Sequence, residues 1–172
     1  MELFILRHGD TSKRLSRSGG LDRPLTYTGT TEIKSIANSI KKLRIKIDLI
    51  VTSPIFSCKQ TSEIINDLSN KRIPLIICND LKPEGKLLDF YNKISKYNNT
   101  SSLLIVGHEP YLSNMINDII SNNDADRNYN KNNKNIILKK AGLSRIKITS
   151  TVPKLKGELR WLLTPRILKK IQ

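Results

Sequence analysis

Apolar residues along the chain fall into short runs and helical stripes separated by polar breaks, and their order predicts the architecture. Glu2-Leu3-Phe4-Ile5-Leu6 is an apolar run that ends abruptly at Arg7-His8-Gly9, which reads as a buried strand feeding a loop. Thr11 to Pro24 is polar and broken by Gly19-Gly20 and Pro24, so it forms a basic surface loop. From Thr28 to Leu43, Ile33, Ile36, Ala37, Ile40 and Leu43 recur at helical spacing, with Glu32 expected in the first turn. Asp48 to Thr52 is a second strand, and Ser53-Pro54 reads as an N-cap followed by proline at the first position of a helix running to Leu68.

The alternation continues. Leu75 to Cys78 is a third strand, Leu81 to Gly85 a loop, and residues 86 to 96 a helix. Leu103 to Gly107 is a fourth strand, after which Pro110 starts another helix. Ser121 to Asn135 is rich in Asn, Asp and Lys without apolar periodicity and reads as a mobile surface loop. Ile146 and Ile148 alternate with Arg145 and Lys147, and Leu159, Trp161 and Leu163 with Glu158 and Arg160, which predicts a carboxy-terminal antiparallel hairpin. Thr164-Pro165 opens a final basic helix. The expectation is an α/β fold: one domain over residues 1–172, a three-layer α/β/α sandwich around a mostly parallel mixed sheet closed by a C-terminal β-hairpin.

Composition changes this picture in two ways. The 172 residues contain 30 Lys plus Arg against 15 Asp plus Glu, a formal charge of +15, which favours an anionic ligand. No apolar run approaches the roughly 20 residues that cross a bilayer, so a cytoplasmic protein without a membrane partner is expected. Cys58 and Cys78 are too few for a disulfide framework or a structural zinc site and read as reduced core thiols. The basic stretch from Lys139 onward, where Glu158 is the single acid, reads as solvated faces or as a dock for an acidic phosphoprotein. Without a zinc finger, base-stacking motif or recognition helix, nucleic acid is an unfavoured partner.

The only two histidines occupy equivalent positions, His8 after the first strand and His108 after the fourth. Ligands of open α/β sheets bind at the carboxyl ends of strands. Two histidines without a matching carboxylate pattern do not make a metal site, so no metal is expected. Arg7 beside His8 suits a phosphoryl group, since guanidinium offers a rigid fork of donors and imidazole is a competent nucleophile near neutral pH.

Arg7-His8-Gly9-Asp10 resembles the signature of the histidine phosphatase superfamily, also called phosphoglycerate mutase-like, and is most similar to its SixA-type phosphohistidine phosphatases. Arg23-Pro24-Leu25-Thr26 before Gly29, Thr52-Ser53-Pro54 with Gln60-Thr61, Gly107-His108-Glu109-Pro110, Ala141-Gly142-Leu143 and Trp161 to Pro165 follow in the family's order. The resemblance implies that His8 attacks phosphorus and is transiently phosphorylated, that Arg7 and His108 stabilise the transferring group, and that no cofactor takes part. It implies that Gly9 permits a tight turn whose carbonyl holds one His8 nitrogen, and that Asp10 either tunes His8 or caps that turn.

Where the family places a second phosphate-binding arginine, this chain has Ser57, and Arg23, Arg14 or Arg17 are the expected replacements. Glu84 stands where a general acid would be sought, with an exposed loop carboxylate as the other reading. The expected substrate is protein phosphohistidine or a similar small phosphorylated group. The alternatives are a small-molecule phosphomonoesterase and a phosphate- or phosphoprotein-binding module with weakened catalysis. A monomer is the simplest assembly.

Overall fold

A computed structural model of the chain describes residues 1–12, 23–97, 100–121, 136–152 and 154–171. The apolar runs become strands β1 (Glu2–Arg7), β2 (Leu49–Thr52), β3 (Leu75–Ile77), β4 (Ser102–Gly107), β5 (Leu143–Ser150) and β6 (Lys156–Leu163). The stripes become helices α1 (Tyr27–Lys42), α2 (Phe56–Asp67), α3 (Leu87–Ile94), α4 (Tyr111–Ile120) and α5 (Pro165–Ile171). Expected residues Arg14 and Arg17, and the expected loop from residue 122 to 135, lie outside the described residues.

The strands form one sheet in the order β3-β2-β4-β1-β5-β6. β1, β2, β3 and β4 are mutually parallel, and β5 and β6 add as an antiparallel hairpin on the β1 side. Successive side chains of a strand point to opposite faces, so each central strand feeds two cores. Leu3, Ile5, Val51, Leu103 and Ile105 pack with Phe90 and Ile94 of α3 and Leu112, Met115 and Ile116 of α4. Phe4, Leu6, Ile50, Leu104 and Val106 pack against α1, α2 and α5 through Ile33, Ile36, Ile40, Ile65 and Leu168. The fold is the three-layer sandwich expected. Among the described residues no helix is long and apolar enough to cross a membrane.

Two local expectations are corrected. Ser53 does not cap α2, which begins only at Phe56 with the backbone of Ile55 as its N-cap. Ser53 is instead buried, its hydroxyl facing His108 and accepting from the N–H of Ile55, the residue before the helix, rather than from an N–H of the first turn. Glu32 falls beyond the first turn of α1 because that helix starts at Tyr27, where the Thr26 hydroxyl accepts from the Gly29 N–H at 3.0 Å.

Gly29 explains how α1 positions the loop after β1. A Cβ built on it would lie 2.2 Å from the Asp10 carbonyl oxygen and 2.6 Å from the Asp10 nitrogen. A Cβ on Gly9 would in turn lie 2.8 Å from the Gly29 carbonyl oxygen. Gly9 thus serves close approach between two backbones, rather than the tight-turn conformation expected of it, since its φ lies outside the left-handed region. Thr26 completes the seam, its N–H donating to the Asp10 carbonyl at 2.9 Å and its hydroxyl to Asp10 Oδ2 at 3.0 Å.

Helix propensity alone makes Gly29→Ala stabilising by about 1 kcal/mol. Overpacking against Asp10 reverses the sign, and a loss of about 1–3 kcal/mol is expected in urea denaturation. A raised midpoint would refute the seam.

Candidate active site

The β1–β4 register pairs Arg7 with Gly107, so the chain delivers His8 and His108 side by side at the carboxyl edge of the sheet. The His8 N–H continues the ladder to the Gly107 carbonyl at 3.2 Å, and the two rings lie 5.0 Å apart. Ser53 enters from the neighbouring strand, its N–H bonded to the Val106 carbonyl at 3.0 Å. Gly107 admits close packing behind the site, where an added Cβ would meet Leu112 at 3.0 Å.

His8 is oriented by its neighbour. Its Nδ1 lies 2.7 Å from the Gly9 carbonyl oxygen. A carbonyl only accepts, so Nδ1 carries the hydrogen and Nε2 of the neutral ring keeps its lone pair. Burial holds the His8 pKa below the usual histidine value. The Gly9 hydrogen bond and Asp10 oppose that shift, while Arg7 and Lys140 reinforce it. The Gly9 N–H lies 3.4 Å from Thr61 Oγ1, and that hydroxyl donates to the Ser57 carbonyl at 2.7 Å, which ties the loop to the first turns of α2.

His108 is buried and its pKa is pushed down to about 4, first by burial and then by His8 and Arg7. Its Nε2 lies 2.9 Å from Ser53 Oγ and 3.3 Å from Cys58 Sγ. Burial pushes the Cys58 thiol up, so it remains protonated at neutral pH. In the tautomer with Nε2 unprotonated, its one lone pair accepts from the Ser53 hydroxyl, and the Cys58 thiol packs beside it.

The segment before β5 clasps the other side. The Arg7 N–H donates to the Gly142 carbonyl at 3.1 Å, the Ala141 N–H donates to the His8 carbonyl at 3.1 Å, and Arg7 Nη1 donates to the Leu138 carbonyl at 2.9 Å. Ala141 is held at φ 51, a left-handed conformation costly for a residue with a Cβ, which the surrounding hydrogen bonds fix in place. Arg7 Nε is buried and makes no hydrogen bond within the protein. A buried donor in that condition favours an incoming acceptor.

The expected site residues therefore divide. Arg7, His8, Gly9, Asp10 and His108 come together, with Ser57 buried one helical turn from Thr61. Arg23 is half-buried just before Pro24 and Leu25, where the Ser12 N–H donates to the Pro24 carbonyl and the Leu25 N–H to Gln60 Oε1. Glu84 is exposed in the turn after β3 and, among the described residues, has no hydrogen-bond or ion-pair partner. Among the described residues no group of three or more His, Cys, Asp and Glu could hold a metal ion.

Four participants escaped the sequence reading. Ser53 was assigned to a helix cap and Cys58 to the core; Thr61 carried no role, although it stands in the Gln60-Thr61 block. Lys140 was grouped with the basic carboxy terminus, yet its ammonium pairs with Asp10 Oδ1. Part of that basic surface is paired: Arg145 and Lys147 with Glu2, Lys154 with Asp118, and Arg160 with Glu158.

Both histidines have folded pKa values below the unfolded one, so the unfolded chain binds more protons in mild acid. Stability is expected to fall as pH drops from about 6.5 towards 4, with His108 contributing on the order of 3 kcal/mol across its shift. In denaturant titrations at pH 7 and pH 4.5, His108→Gln should lose much less stability on acidification than wild type. An equal loss would show that His108 is not the acid-sensitive group.

Comparison with known proteins agrees with this arrangement. The family description "Histidine phosphatase superfamily (branch 1)" matches residues 3–83. An uncharacterized protein of Picosynechococcus sp. is 32% identical over 114 residues, covering 65% of this chain and 68% of that protein. Phosphohistidine phosphatase SixA of Escherichia coli is 29% identical over 118 residues, covering 67% of this chain and 72% of its own length. In structure, the protein histidine phosphatase SixA complexed with tungstate superposes with a TM-score of 0.81 at 22% identity, over 96% of this chain and 98% of that one. With the strand-end histidines, the seam and the profile match together, the chain belongs to the histidine phosphatase superfamily and is SixA-like.

Proposed function

We propose that this protein is a phosphatase that works through a phosphohistidine intermediate on His8, with protein phosphohistidine or a similar small phosphorylated group as substrate. The observation that carries the reading is the His8 hydrogen bond to the Gly9 carbonyl, which leaves Nε2 as the nucleophilic nitrogen beside Arg7. The name of the Escherichia coli relative supports the substrate class.

In the first step the Nε2 lone pair forms a bond to phosphorus while the bond from phosphorus to the leaving nitrogen breaks, and that nitrogen takes a proton. In the second step water attacks phosphorus, the bond to Nε2 breaks, and inorganic phosphate leaves. Arg7 donates to the equatorial oxygens, where charge spreads in the transition state. His108 is a hydrogen-bonding group at neutral pH and becomes charged only when an anion beside it restores its basicity. No cofactor enters this scheme.

The imidazole of phosphohistidine departs as a neutral ring once a nitrogen is protonated, which happens near neutral pH, whereas an alkoxide is so basic that it leaves only with a proton from a general acid. Glu84, exposed in its turn, is the candidate acid of the phosphomonoesterase alternative. A positioned general acid contributes about 10²–10⁴-fold, so phosphohistidine should be turned over at least about 100-fold faster than a simple alkyl phosphate. His8→Ala should reduce turnover to background and abolish acid-labile ³²P labelling of the protein. Phosphate binding with no turnover by wild type would instead identify a binding module, and comparable rates on both substrates would favour the monoesterase.

A further inference from the structure

Charge at the site is scarce. A phosphoryl group arrives with up to two negative charges, and the two imidazoles that face it are held neutral by burial. Ser57, on the first turn of α2, is buried and uncharged. Arg7 is then the one fixed cation in the arrangement of His8, His108 and Ser57, and one of its nitrogens is already committed to the Leu138 carbonyl.

A second cation stands close by. Arg7, Asp10, Glu32, Lys139, Lys140 and Arg166 line a cleft of about 500 Å³ alongside the loop after β1. Of its basic side chains apart from Arg7, Lys140 is the one that pairs with that loop among the described residues, through Asp10 Oδ1. Its backbone position is fixed from the next residue, since the Ala141 N–H is bonded to the His8 carbonyl itself. The Lys140 side chain is 43% exposed and that of Asp10 38%, so their ion pair is weak and readily exchanged for a stronger anion. Lysine delivers its charge on a flexible four-carbon stem, which suits such an exchange. The ammonium is near enough for its charge to act on His8.

We propose that Lys140 is a phosphate-binding residue of this site, its ammonium moving from Asp10 onto the phosphoryl oxygens to supply the second positive charge that Ser57 does not. The proposal deepens the phosphatase reading for its natural ligand but is independent of turnover. Asp10 then has a defined part: it stores the ammonium beside the nucleophile and competes with the incoming anion for it.

The test is calorimetric titration of the full chain with inorganic phosphate and orthovanadate, run beside phosphohistidine turnover. Lys140→Met should weaken vanadate binding by about tenfold or more, the loss of a charge-assisted hydrogen bond. Lys140→Arg should stay within about threefold of wild type, since a cation remains. Asp10→Asn should tighten binding by removing the competing carboxylate. Circular dichroism checks the fold of each, and Lys140→Gln substitutes if the methionine variant does not fold.

Lys140→Met without effect overturns the proposal. So does equal weakening by Lys140→Met and Asp10→Asn, which would make the ion pair only a tether between the two segments. Absence of vanadate binding by wild type overturns this proposal and counts against the phosphatase reading too. If wild type shows the expected binding series but no turnover, the phosphatase reading fails and Lys140 stands. If wild type turns over phosphohistidine and the Lys140 variants match it in binding and rate, the reverse holds.

Discussion

The in-register pairing of two parallel strands is the constraint on which the site depends. Because β1 and β4 align Arg7 with Gly107, the residues that follow leave the sheet together, and two distant histidines become neighbours 5.0 Å apart. A shift of one residue would send one ring to the opposite face of the sheet, since side chains alternate. The register is protected by burial on both sides: Leu3, Ile5, Leu103 and Ile105 serve one core and Phe4, Leu6, Leu104 and Val106 the other. Packing that stabilises the sheet is therefore the same packing that sets the geometry of the histidines.

Beyond the strand ends, the backbone needs separate support. Three elements grip the loop after β1: α1 through the Gly29 approach, α2 through Thr61, and the segment 138–142 through bonds to Arg7 and His8. Their side chains are small or short where they meet, which lets main-chain groups bond directly. The result is a nucleophile whose main chain is held by hydrogen bonds on several sides rather than by one neighbouring side chain.

Most of the architecture was legible in the sequence because strands buried on both faces read as continuous Ile, Leu and Val runs, and helices between them as stripes. Helix starts were less legible. Ser53-Pro54 has the composition of a cap, but the hydroxyl is used across the sheet by His108, a contact between residues 55 positions apart that no local pattern encodes. Gly9 was assigned to a turn, while the structure uses it for contact with α1. His8, Arg7 and His108 could be read from their places at strand ends. Cys58 and Lys140 could not, since a buried thiol and one lysine among many basic residues carry no distinguishing periodicity. Among the cations expected to make up for Ser57, Arg23 adjoins the Pro24-Leu25 segment held by Ser12 and Gln60, and Arg14 and Arg17 lie outside the described residues.

The neutrality of the two histidines has a consequence for how the site handles protons. An anion placed beside an imidazole raises its affinity for a proton, so an anion bound beside His108 favours that ring's protonated form, while His8 acts as nucleophile only with its Nε2 lone pair free. For the phosphatase proposed, phosphate binding beside His108 would carry a hydrogen ion with it, and the heat of binding would vary with the ionisation enthalpy of the buffer. A protein carrying 15 surplus positive charges thus sets, beside the permanent charge of Arg7, two strand-end imidazoles that are neutral at rest.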